Sequence, residues 1–143
     1  GFAIPVNTAR RVVPELINYG RVRRGWIEIF PVQLEPSIVR YAELPVSKGI
    51  LVSEVRRGGN ADKAGIRGGD KDNPVRYGNS IIYFGGDIIV EVDGMRTATI
   101  SDLFAALEDN KPSDRVEVEV IRDNKRKTFE VKLVKRPDEL MWE

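Results

Sequence analysis

The sequence predicts an α+β domain: a small, partly open β-barrel or sandwich of five to six strands with two short helices, preceded by an N-terminal helical arm. Three observations predict it. Short apolar strands at 26–30, 49–55 and 86–92 are separated by short helical segments. One amphipathic helix stands out near Ser101. The chain then runs into an alternating hairpin, with Val116, Val118 and Val120 between Glu117 and Glu119, and Phe129, Val131 and Leu133 between Glu130 and Lys132.

In chain order, Asn7-Thr8 reads as a helix start with Asn7 as N-cap, and Val12/Leu16 and Val13/Ile17 share one face. Pro14 interrupts this helix and Gly20 ends it. Phe2-Ala3-Ile4 is a short strand candidate with no partner beside it in sequence, so the opening twenty residues read as the tail of another domain. Arg21-Val22-Arg23-Arg24 is a basic connector. Trp26 to Phe30 is a strand, and Ser37 to Ala42 a short helix that begins behind Pro36. Gly49 to Val55 is a second strand, and Asn60 to Ala64 a helix closed by Gly65. Arg67 to Phe84 reads as a long loop in which Ser80 to Phe84 is a strand candidate. Gly86 to Val92 is a strand that ends at the tight turn Asp93-Gly94. Ser101 is the expected N-cap of the main helix, Asp102 complements its dipole, and Leu103, Phe104, Ala106 and Leu107 form its apolar stripe. Asn110 and Pro112 stop that helix, Asp123-Asn124 turns the final hairpin, and Pro137 to Glu143 is a tail.

Composition narrows the chemistry. The 143 residues carry 23 Lys plus Arg against 22 Asp plus Glu, a net charge of +1 that argues against a nucleic-acid partner. There is no histidine and no cysteine. A Ser-His-Asp or Cys-His mechanism therefore cannot be completed within this chain, and the usual zinc, haem and iron–sulfur ligand sets are excluded. No apolar run reaches the length needed to span a bilayer. Asp70, Asp72 and Asn73 lack the Gly and distant Glu of a calcium loop, and Gly58-Gly59 and Gly68-Gly69 lack the Lys-Ser/Thr of a phosphate loop. No cofactor and no metal is expected.

Three spaced signals carry a family resemblance: Arg24-Gly25-Trp26-Ile27-Glu28-Ile29, then Ala64-Gly65-Ile66-Arg67-Gly68-Gly69-Asp70, then Gly85-Gly86-Asp87 through Asp93-Gly94. With the Ser101 helix and the last hairpin, they resemble a PDZ domain of the bacterial type. The opening Gly1 to Ala9, Leu16-Ile17 and Gly20-Arg21-Val22 resemble the last strand and C-terminal helix of the protease domain in the HtrA/Deg serine protease family. The resemblance implies a division into a protease-domain remnant at 1–20, a linker at 21–24, the PDZ domain at 25–136 and a tail at 137–143. It also implies that this chain is not itself an enzyme, although its parent would be a quality-control serine endopeptidase of the bacterial envelope or periplasm. Asn79-Ser80 lacks the glycines of that family's nucleophile loop. The cut between the two domains would leave the catalytic residues upstream.

The resemblance implies a peptide-binding module whose partners are peptides or unfolded protein segments, added as a strand to a sheet edge. Its terminal-carboxylate loop would be Arg24, Gly25, Trp26, Ile27 and Glu28, leading into an edge strand from Ile29 to Gln33. Ile27 and Ile29 would face the pocket, with Leu103, Ala106 and Leu107 across from them on the helix. Residue chemistry alone leaves a second reading open for each: core for the aliphatic residues, plain packing for Trp26, a solvated linker charge for Arg24. Glu28 stands where the family usually has Gly, and Pro31 lacks an N–H. Both departures point to a groove that prefers internal segments or recognises C-termini weakly. The 67–84 insertion is either a tolerated surface loop or a contact to the parent's protease domain or a neighbouring subunit. The alternative function is accordingly a regulatory or assembly domain, with homo-oligomerisation open.

Overall fold

The computed structural model describes residues 25–108 and 110–135. The expected arm at 1–20, the linker with Arg24, and the tail from 137 lie outside the described residues. Strand β1 (Gly25–Trp26) leads to β2 (Ile29–Gln33), helix α1 (Pro36–Ala42), β3 (Ile50–Val55) and α2 (Asn60–Ala64). Then come β4 (Pro74–Tyr77), β5 (Ser80–Tyr83), β6 (Ile88–Val92), β7 (Met95–Arg96) and α3 (Ile100–Glu108). The final hairpin is β8 (Arg115–Arg122) and β9 (Lys125–Lys132), followed by β10 (Val134–Lys135).

The main sheet is antiparallel in the order β2-β3-β6-β8-β9, with β7 beside β6. β1 pairs with β10 and β4 with β5, each as a separate two-stranded ladder. This is the α+β architecture read from the sequence, with a six-stranded main sheet and three short helices among the described residues.

Side-chain alternation sorts the apolar residues into two clusters. Ile27, Ile29, Ile50, Val52, Ile89 and Leu103 belong to the larger one, which α2 and α3 help to cover. Leu34, Ile38, Leu51, Ile82 and Ile88 form a smaller one under α1 and β5. Neighbours such as Ile50 and Leu51 fall into different clusters because successive side chains leave opposite faces of a strand. The apolar run Ile50-Leu51-Val52 is thus buried on both faces.

Four sequence expectations are corrected. The 26–30 strand is two strands, because β1 pairs with β10 whereas β2 pairs with β3; between them the Ile29 N–H turns back to the Ile27 carbonyl at 2.9 Å. Helix α1 begins at Pro36 rather than Ser37, with Glu35 as N-cap, which suits the fixed φ of proline in a first turn. Helix α3 is capped by Thr99, not Ser101. The Thr99 hydroxyl accepts from the Asp102 N–H at 3.0 Å, and the Asp102 carboxylate accepts from Thr99 N–H at 3.1 Å, a reciprocal capping box.

The 67–84 segment is not a plain loop. Its second half is the β4–β5 hairpin, turning at Gly78-Asn79 with Gly78 at φ 61°. Of its eight strand residues only Ile82 is fully buried, so the segment shows no hydrophobic alternation to read. The hairpin is fastened instead by polar bonds. The Tyr77 hydroxyl donates to Glu35 at 2.9 Å, and the Tyr83 N–H donates to the Ser53 hydroxyl at 3.0 Å.

One interior ion pair ties four elements together. Arg122 donates Nε to Asp87 Oδ1 at 2.7 Å and Nη2 to Oδ2 at 2.6 Å, and it also donates to the Gly65 carbonyl that ends α2. The guanidinium lies 4.9 Å above the Phe129 ring, and Asp87 Oδ2 accepts in addition from the Arg67 N–H. The bonds to Asp87 outweigh burial and raise the Arg122 pKa above its usual value.

Candidate functional site

β2 is the terminal strand of the main sheet, and among the described residues no strand pairs with its outer edge. The Arg56 N–H donates to the Glu28 carbonyl and the Leu34 N–H to the Gly49 carbonyl, so both ends of this stretch bond inward to β3. The register skips Ser53 on β3 between the Phe30 and Pro31 pairings, a bulge that leaves the alternation along β2 itself unbroken. Ile29, Pro31 and Gln33 therefore present their backbone groups to the outer edge. That edge carries three outward carbonyls. Of its donors, Pro31 has none and the Ile29 N–H is turned back to Ile27, whereas the alternation directs the Gln33 N–H outward.

Helix α3 flanks this strand. The Gln33 side-chain carbonyl accepts from the Ile100 N–H at 2.9 Å, joining the far end of β2 to the start of the helix. Ile100 and Phe104, four residues apart, are half-buried and pack on the main core. Trp26 lies against Phe104 with ring centroids 5.5 Å apart in a tilted arrangement, and is only 5% exposed.

The expected site residues largely converge. Trp26, Ile27, Ile29, Leu103, Ala106 and Leu107 share the main core cluster. None of them is more than 5% exposed, so they form a closed apolar floor rather than the walls of an open pocket. For Trp26 the geometry takes the packed alternative. Gly25 is in β1, where an added Cβ would press on the Leu133 side chain, so a larger residue there would make Leu133 shift. Arg24 lies outside the described residues.

Glu28 is half-buried and turned away from the strand edge. Its carboxylate accepts from the Asn60 N–H at 3.1 Å and from Arg56 at 3.0 Å. Its own N–H donates to Asn60 Oδ1 at 2.8 Å, while Asn60 Nδ2 donates to the carbonyls of Trp26 and Lys132, both at 2.8 Å. Sequence reasoning missed Asn60 and Ile100, and read Gln33 only as the end of the edge strand without its side-chain bond to Ile100. Ile100 lies four residues before Phe104, which is a readable signal; Asn60 and Gln33 act across more than thirty residues of sequence, which leaves none. A separate cleft of about 640 Å³ lies between α2, β9 and β10, lined by Asn60, Lys63, Leu133 and Lys135 among others. It shares Glu28 with the loop but takes no residue from β2 or α3.

The PDZ domain family matches residues 32–133. The chain belongs to that family. Relatives of this PDZ domain include the chloroplast Protease Do-like 1 of Arabidopsis thaliana, 35% identical over 139 residues. They also include the periplasmic pH-dependent serine endoprotease DegQ of Escherichia coli, 29% identical over 133 residues. Those alignments cover 97% and 93% of this chain but only 29% and 26% of the relatives, so the chain spans less than a third of their length. The HtrA3 PDZ domain, solved with the phage-derived ligand FGRWV, is 27% identical with a TM-score of 0.59, over 80% of this chain and 88% of that one. The HtrA-type protease AlgW, solved with a decapeptide, shares the fold at 24% identity and a TM-score of 0.68, over 97% of this chain and 38% of that one. The resemblance to the HtrA/Deg proteases read from the sequence is thus matched, and the matched segment is a PDZ domain rather than a catalytic one. No helix among the described residues is long and apolar enough to cross a membrane.

Proposed function

We propose that this PDZ domain binds extended apolar segments of other polypeptides by strand addition along β2, as the substrate-handling part of an HtrA-like serine endopeptidase. The observation that carries the reading is the terminal position of β2, with its outer edge beside the half-buried Ile100 and Phe104 of α3. The peptide bound by the HtrA3 PDZ domain supports it. In this reading residues 1–20 are the end of the parent's protease domain, 21–24 its linker, 25–136 the PDZ domain and 137–143 a tail. Ile27, Ile29, Leu103, Ala106 and Leu107 support the groove from beneath, and Gly25 and Trp26 shape its loop end. The periplasmic relatives favour an envelope compartment for the parent, and the chloroplast relative an alternative one.

The test is a backbone amide NMR titration of the full chain with reduced, carboxymethylated α-lactalbumin, a permanently unfolded probe. Resonances of Ile29, Phe30, Val32 and Gln33 and of Ile100 to Leu107 should shift together and saturate. A saturating probe that moves neither set overturns the reading.

One observation favours an additional assembly role. The β4–β5 hairpin is bonded to α1 through Tyr77, and the two elements expose Tyr41 (68%) and Ile81 (55%). A contact to the protease domain or to a second subunit would cover them. Replacing Ile81 by Asp should reduce the particle mass of the parent protein in analytical ultracentrifugation if the contact joins subunits, and an unchanged mass removes the intersubunit contact.

A further inference from the structure

We infer that Asn60 and Glu28 lock the loop before β2 in a conformation without an anion hole, so that the groove reads internal segments and is indifferent to a free C-terminus. The inference deepens the strand-addition reading and rests on it.

A terminal carboxylate is held by successive backbone N–H groups that converge, and one common way to make them converge is a pair of neighbouring residues of opposite helical hand. Here no residue from 25 to 29 has a positive φ. The amides that would have to converge are those of Ile27, Glu28 and Ile29. The Glu28 N–H points to Asn60 Oδ1, and the Ile29 N–H is taken by the Ile27 carbonyl. An oxygen therefore sits where the loop would need a donor. The lock is reciprocal, because the Glu28 carboxylate accepts from the Asn60 backbone N–H while the Asn60 side chain accepts from Glu28. Asn60 is itself fixed by its two bonds to the Trp26 and Lys132 carbonyls. Flipping the Ile27–Glu28 peptide would break the Asn60 bond and ask a residue with a Cβ to adopt the conformation that glycine tolerates.

The outer edge of β2 fits the same preference. Its outward carbonyls at Ile29, Pro31 and Gln33 accept from a passing backbone and have no use for a terminal anion. Asn60 is thus a specificity-determining residue that touches no ligand itself.

The full chain would be selected against random peptides displayed in two formats, with free C-termini and with both ends embedded. The best segment would then be measured by fluorescence anisotropy as free acid, as amide and with four residues appended. The expected result is enrichment in the embedded format and three dissociation constants within about threefold. A free acid at least tenfold tighter than its amide overturns the lock while leaving strand addition standing. Enrichment in neither format overturns strand addition, and the lock with it. Glu28→Gly should raise the acid-to-amide preference at least tenfold. Glu28→Gln keeps the Cβ and should leave that preference unchanged; if it rises in Glu28→Gln, charge rather than backbone conformation sets it, and the lock is wrong. Circular dichroism of both variants identifies either one that fails to fold, and the wild-type comparison still decides.

Discussion

Asp87 and Arg122 meet through two parallel hydrogen bonds of 2.7 and 2.6 Å with side chains only 2% and 12% exposed, which joins β8 to the segment just before β6. Removing one partner strands the other charge away from water. Asp87→Ala should lower unfolding free energy by about 3–5 kcal/mol in urea titrations, and Arg122→Met by a similar amount. The double variant Asp87→Leu with Arg122→Met should recover most of that loss. The raised Arg122 pKa means that its contribution is complete below the ordinary guanidinium range and fades only as pH rises above it. A double variant no better than the singles would show that the pair stabilises the fold outright.

Leu103 is fully buried beneath the proposed groove. Leu103→Ala should cost about 2–5 kcal/mol in chemical denaturation, the range for a cavity in a closed core. A loss below about 1 kcal/mol would mean that solvent already reaches this side of α3.

The capping box separates two neighbouring hydroxyls. Thr99→Ala should destabilise by about 0.5–2 kcal/mol, because it frees the Asp102 N–H. Ser101 is exposed, and Ser101→Ala should stay within about 0.5 kcal/mol of wild type by thermal melting. Equal effects would contradict the assignment of the cap.

Pro31 removes one outward donor from the strand edge. Pro31→Val should supply it and tighten binding of the best selected peptide by about fivefold, the worth of about 1 kcal/mol for one net hydrogen bond. Unchanged affinity would mean that bound segments do not pair with β2 at this position.

Much of the fold was legible because its elements carry strong periodic signals. Val116, Val118 and Val120 alternate cleanly, Gly65 closes α2 as expected with φ 105°, and Asp123-Asn124 makes the expected turn with φ of 52° and 62°. Elements held by polar bonds were not legible. The β4–β5 hairpin hides in a polar stretch because the Tyr77 to Glu35 bond spans 42 residues. At the site, the apolar floor could be read from side-chain type alone, and the unusual Glu28 marked the loop. What that Glu does could not be read, since its partner Asn60 lies 32 residues away and looks like an ordinary first residue of a helix.

The pairing of Gly25 with Lys135 and of Trp26 with Val134 has a mechanical consequence. The two ends of the described segment lie side by side, about one strand spacing apart. Within a longer chain the domain therefore hangs as a side loop and adds almost nothing to the contour between its neighbours. Tension on that chain loads a ladder of two residue pairs in the peeling direction, one rung after the other. The clasp should open at low force while the main sheet stays folded, releasing about 1 nm of chain, and because Gly25 and Trp26 belong to it, such tension reaches the loop end of the proposed groove first.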